Sequence, residues 1–99
     1  MAIDTIEGVW QDSLSYHYDR FADVLYVERV DAADEEAYGQ EEEPGCHMMR
    51  SLADDRLVGL TVVGYWRRYG GVSLTDLRAA DLERKLEAYV GELAPRLAA

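Results

Sequence analysis

Strict alternation begins at Ser13. Leu14, Tyr16 and Tyr18 fall on one side of the chain and Ser13, Ser15 and His17 on the other, the period-two pattern of a half-buried strand. A compact turn bracketed by Asp19 and Asp23 follows, and then a β-branched and aromatic run, Val24 to Val30. In that run Leu25 and Val27 face one way, while Val24, Tyr26 and Val30 face the other. Apolar residues on both faces predict a central strand, covered on each side or with one face kept for a partner. Cys46 to Ser51 predicts a third strand, Ala53-Asp54-Asp55-Arg56 an Asp-rich turn, and Leu57 to Tyr65 a fourth strand. Met1 to Asp12 is ambiguous, because Ile3, Ile6, Val9 and Trp10 recur at roughly helical spacing and Gly8 interrupts them.

Beyond Gly70-Gly71 the period changes. Ala79, Leu82, Leu86, Val90, Leu93 and Leu97 recur at steps of three and four, one apolar stripe on a long helix. Ser73 or Thr75 suits its N-cap with Asp76 in the first turn, Asp81–Lys85 and Glu92–Arg96 are i,i+4 pairs, and Leu77 falls off the stripe. Pro95 is expected to end or kink the helix. The stripe needs a sheet face and the sheet needs a cover. The expected fold is therefore α+β: a three- to four-stranded antiparallel meander over about residues 13–65, with a C-terminal helix over about 75–94 packed on one face. Residues 1–99 form one domain, without internal repeats.

Charge changes the functional picture. The chain carries a net −10, and seven acids with no base lie between Asp31 and Glu43; the remainder holds thirteen acids against ten bases, a net of −3. A segment so acidic, with little to bury, is expected to be a mobile connection. It disfavours nucleic acid and anionic membrane and favours a basic partner. No apolar run approaches the roughly 20 residues of a membrane span, and no basic region precedes an apolar stretch at the N-terminus, so no secretory leader is expected. One cysteine, Cys46, makes no internal disulfide, which suits a cytoplasmic protein.

The hairpin Tyr18-Asp19-Arg20-Phe21-Ala22-Asp23-Val24-Leu25-Tyr26-Val27 closely resembles the opening motif of a small bacterial family, domain of unknown function 2283. Glu41-Glu42-Glu43-Pro44-Gly45, then Cys46 to Arg50, Asp54-Asp55-Arg56 and Leu57-Val58-Gly59-Leu60 follow in the order of that family. The resemblance covers about residues 15–65. It departs at Thr61, where the family usually has Glu, and over Cys46 to Arg50, where the family is aliphatic and acidic. It implies a compact sheet with no assigned catalysis; some relatives look like partners of small toxin-like proteins.

Candidate chemistry is sparse. Asp19 and Asp23 could serve metal or acid–base work, but the turn itself asks for side chains that hold its amides. Cys46 and His47, as neighbours on a strand, point to opposite faces and cannot easily chelate one ion. No phosphate loop, Ser/His/Asp order or zinc spacing is present, so neither catalysis nor a cofactor is expected. The reading is a non-enzymatic interaction domain, antitoxin-like or regulatory, that dimerises through an aromatic sheet face and binds a basic protein. Its partner-binding residues would be Asp34, Glu35, Glu36, Glu41, Glu42 and Glu43 of the acidic segment, Tyr26 of the sheet, and Trp66, Arg67 and Tyr69 of the one basic, aromatic spot. The alternative is a ligand pocket or minor enzyme lined by Tyr16, Tyr26, His17 and His47; in a third reading the tail helix is an oligomerisation element.

Overall fold

In the computed structural model of the protein, residues 5–69 and 79–98 are described. Six strands form one antiparallel sheet: β1 (Thr5–Trp10), β2 (Leu14–Asp19), β3 (Val24–Arg29), β4 (Ala37–Glu43), β5 (Cys46–Ser51) and β6 (Leu57–Val63). A 3-10 turn (Val30–Ala32) follows β3, and two helices follow the sheet, α1 (Tyr65–Tyr69) and α2 (Ala79–Ala98). The spatial order is β1-β2-β3-β6-β5-β4, so two three-stranded meanders meet along β3 and β6.

Each turn has a chemical reason. Gln11 and Asp12 both have positive φ between β1 and β2, where the Ser13 amide donates to the Trp10 carbonyl at 3.0 Å; such a turn matches the twist of the strands it joins. Asp19 Oδ1 accepts the amides of Phe21 (2.9 Å) and Ala22 (3.1 Å), which closes the bend between β2 and β3. Pro44-Gly45 turns β4 into β5, with Gly45 at φ +82°, a position that favours glycine. Between β5 and β6, Asp54 Oδ1 accepts the Arg56 amide at 3.0 Å.

Alternation places Ile6, Leu14, Tyr16, Tyr18, Leu25, Val27, Met48, Leu60 and Val62 on one face. Against them α2 packs Leu82, Leu86, Val90, Leu93 and Leu97, all buried. The stripe read from the sequence is thus the packing face of the helix. No described helix is long and apolar enough to cross a membrane.

Four expectations are corrected. The sheet has six strands, because Thr5–Trp10 and Ala37–Glu43 are strands as well. Segment 31–43 is a 3-10 turn followed by an edge strand in register with β5, not a mobile connection; its backbone is held by the ladder although none of its side chains in β4 is buried. The expected fourth strand ends at Val63, not Tyr65, and Tyr65 to Tyr69 form a short helix, since the Asp23 carboxylate accepts the Trp66 (2.7 Å) and Arg67 (3.2 Å) amides that begin it. Helix α2 runs through Pro95 to Ala98; the proline removes one internal hydrogen bond in the last turn, where Leu93 and Leu97 are still buried against the sheet. The expected cap at Ser73 or Thr75, and Asp76 and Leu77, lie outside the described residues, as does Ile3.

Candidate interaction face

Helix α2 covers one face of the sheet. On the other, the register builds a continuous row across all six strands: Glu7 faces His17, His17 faces Tyr26, Tyr26 faces Thr61, Thr61 faces His47, and His47 faces Glu41. A pseudo-two-fold axis through the Tyr26–Thr61 pair carries Glu7 onto Glu41 and His17 onto His47. Both ends of the row are closed by a carboxylate on an imidazole. Glu7 Oε1 lies 2.8 Å from His17 Nδ1, and Glu41 Oε2 lies 3.5 Å from His47 Nε2.

The centre of this face is apolar. Tyr26 is 46% exposed and sets its ring edge-on to His17 at 5.8 Å. Val63 on the neighbouring strand β6 is exposed as well, and so is Val9 on the edge strand β1. Val24 and Met49 are partly exposed. Tyr26, Glu28, Met49, Gly59 and Thr61 line a cavity of about 130 Å³ that the loop residues Ala32 and Glu35 help to close. Gly59 forms its floor because no side chain fits there: a Cβ would stand 2.5 Å from the Val27 carbonyl oxygen and 3.4 Å from Glu28 Cα.

Glu7, Glu28 and Glu41 rim the face, and no strand position on it holds Lys or Arg. Apart from the histidines, Arg29 and Arg50 are the strands' basic residues, and both are engaged elsewhere. Arg29 binds Asp31 through two nitrogens (3.0 and 2.7 Å) and donates to the Leu97 carbonyl of α2 at 3.1 Å. Arg50 donates to the Asp55 carbonyl at 3.1 Å.

The acids expected to act together are distributed. Glu35 meets Arg56 and accepts the buried Ser51 hydroxyl at 2.9 Å. Glu41 points to the open face, whereas Glu42 lies 3.8 Å from Arg96 of α2. Asp34, Glu36 and Glu43 are exposed and make no ion pair among the described residues. Glu41, Glu42 and Glu43 share one strand, with Asp34 and Glu36 in the loop before its other end. Of the basic, aromatic spot, Arg67 is exposed, but Trp66 is buried in the core with Lys85 Nζ 5.9 Å from its ring centroid. Trp66 is therefore core, not hot spot. The side chain of Tyr69 lies outside the description.

The aromatic sheet face is reduced to Tyr26. Tyr16, Tyr18 and Tyr65 are core residues. Burial pushes Tyr16 and Tyr65 up to about 12, and pushes Tyr18 higher, helped by its bond to Asp23. The four residues named for a ligand pocket do not converge. Tyr16 lies under the helix, its hydroxyl donating to Glu87 at 3.3 Å. His17 and His47 share the open face but stand three strand spacings apart, about 14 Å. Burial also raises the Cys46 thiol, against the charge of Arg96, the reverse of what a nucleophile needs. No group of three or more His, Cys, Asp or Glu suited to a metal ion occurs among the described residues.

Alternation alone indicated which residues share a face. It did not indicate the Glu–His pairs, because the partners come from β1 and β4, the two strands that the sequence does not announce. Compared with protein-family models, with curated proteins and with solved structures, the chain gives no match.

Proposed function

We propose that the protein is a non-enzymatic, cytoplasmic interaction domain whose open sheet face docks a basic protein, in an antitoxin-like or regulatory role. Kinship with the family that the Tyr18–Val27 motif resembles is part of this proposal. One observation carries it: a six-stranded sheet with a helix on one face only, whose other face has an apolar centre and carboxylates but no Lys or Arg at its strand positions. Apolar centre and charged rim are the usual anatomy of a docking surface. The charge selects a cationic partner and speeds its approach.

A second copy is the other occupant such a face admits, through Val9, Val24, Tyr26, Met49 and Val63. Packing two copies face to face brings Glu7, Glu28 and Glu41 of both to one rim, so charge favours the basic partner. The test is capture from the native cell at low and high salt, with the intact chain, Tyr26→Asp, and the triple variant Glu7→Gln/Glu28→Gln/Glu41→Gln. The expected result is a basic protein retained at low salt by the intact chain and lost with both variants. A protein retained equally by all three, or none retained by a strictly monomeric chain, would falsify the reading.

A further inference from the structure

Strand β4 buries nothing. All seven of its residues are exposed although all but Glu42 are paired with β5. A strand that adds no side chain to the core leaves its contribution in its backbone, and β4 is one of the two edge strands of the sheet, β1 being the other. Its outer row of amides and carbonyls has no strand partner among the described residues. An edge of seven residues is a ready template for another strand. It contains no proline, and its one irregularity, at Glu41/Glu43, lies at the turn end.

The side chains of β4 determine what can pair there. They read Ala-Tyr-Gly-Gln-Glu-Glu-Glu. Self-pairing would bring together two chains of net charge −10 along their most acidic strand, and like charges across a strand pair are unfavourable. The groups that already face the glutamates of β4 lie behind it: the His47 imidazole beside Glu41 and the Arg96 guanidinium beside Glu42. At the adjoining turn Arg68 donates to the Pro44 carbonyl. Glu43 has no ion pair among the described residues. Glu41 stands on the open face beside His47 and Glu42 on the helix side beside Arg96, so the glutamates reach both faces of the sheet. Only a segment with consecutive cations can answer all three.

We propose that β4 is a strand-addition site for an extended basic segment of a partner, which becomes the seventh strand. The segment pairs antiparallel, as all other strands of the sheet do, with consecutive Lys or Arg residues opposite Glu43, Glu42 and Glu41. Small or β-branched residues lie opposite Gly39, Tyr38 and Ala37. Main-chain hydrogen bonds hold it and the charges set its register. This rests on the reading of a basic partner and adds the mode of recognition.

The probe is a fluorescein-labelled peptide, Lys-Arg-Lys-Thr-Val-Thr-Val, titrated into the full chain at low salt and followed by anisotropy. Two further peptides carry backbone N-methyl groups on one or the other alternate set of residues. In a strand pair only one alternate set donates to the neighbour. Methylation of that set is expected to weaken binding by about tenfold or more, and methylation of the other by less than about twofold. Glu41→Gln/Glu42→Gln/Glu43→Gln, with its circular dichroism unchanged, is expected to weaken the parent peptide by at least about tenfold. Equal tolerance of both methylated sets overturns strand addition while leaving the basic-partner reading in place. No binding of the parent peptide, or copies crosslinked β4 to β4 in its stead, overturns strand addition as well. The underlying reading is removed only if the intact chain captures no basic protein, or if capture is equally strong with Tyr26→Asp and with the Glu7/Glu28/Glu41 variant.

Discussion

The Tyr18 hydroxyl donates to Asp23 Oδ1 at 2.6 Å across the bend between β2 and β3. That carboxylate also accepts the first amides of α1 from Trp66 and Arg67, and the Asp23 carbonyl accepts the amides of Gly64 (2.7 Å) and Tyr65 (3.3 Å). Asp23 does more than shape its own turn: it fastens the hairpin to the end of β6 and starts the helix beyond it. Tyr18→Phe removes one of these bonds and is expected to lower stability by about 0.5–1.5 kcal/mol. Asp23→Ala strands the α1 amides and places alanine at φ +56°, for an expected loss of about 1–3 kcal/mol. Asp23→Asn should fall between, because Asn accepts hydrogen bonds and tolerates that φ. Urea denaturation of the three variants checks the order; a Tyr18→Phe loss as large as that of Asp23→Ala would contradict it.

Gly59 is required by the close approach of β3, not by a turn. Gly59→Ala drives a Cβ into the Val27 carbonyl, and backbone must move to admit it. A loss of about 1–3 kcal/mol is expected in thermal or urea unfolding. An unchanged midpoint would mean that the strands separate there without cost.

On α2, Leu86 is fully buried. Leu86→Ala is expected to cost about 2–5 kcal/mol. Phe21→Ala, at a side chain 92% exposed in the hairpin bend, should stay within about 0.5 kcal/mol of the parent. The contrast reports whether the helix is the cover of the sheet; similar losses at both sites would argue against it.

Alkali should unfold the protein through its core phenols. Burial raises Tyr16 and Tyr65 from 10.0 to about 12, and Tyr18 further. The unfolded chain gives up these protons near pH 10 while the folded chain keeps them. The stability they confer is therefore whole below pH 10 and is lost as the pH climbs through 12. The urea midpoint should fall across that interval, and tyrosinate absorbance should rise together with loss of structure. Full ionisation of every tyrosine at pH 10 with the fold intact would refute it.

Much of this fold was legible in the sequence, for a physical reason. Leu14, Tyr16 and Tyr18, Leu25 and Val27, and the stripe from Leu82 to Leu97 all bury one face, and burial writes a period into the chain. Strand β4 buries nothing, so no period betrays it; only its hydrogen-bonded ladder with β5 makes it a strand. Strand β1 was masked by Gly8, which sits opposite Tyr16 and leaves room for that ring. The acidity of the candidate face was readable, but its division among β1, β3 and β4 was not, because register is a property of the pairing and not of either strand alone.

The two meanders that meet along β3 and β6 also bear on how the chain assembles. Hairpins within each half close over short loops, whereas the seam joins residues as far apart as Val24 and Val63, a costlier closure that should come later. Helix α2 follows the entire sheet in chain order. During synthesis the sheet can therefore form before its cover exists, with Leu25, Leu60 and Val62 open to solvent. A chain interrupted before Ala79 would present that bare face to its neighbours, which makes it a substrate for chaperones or a seed for aggregates.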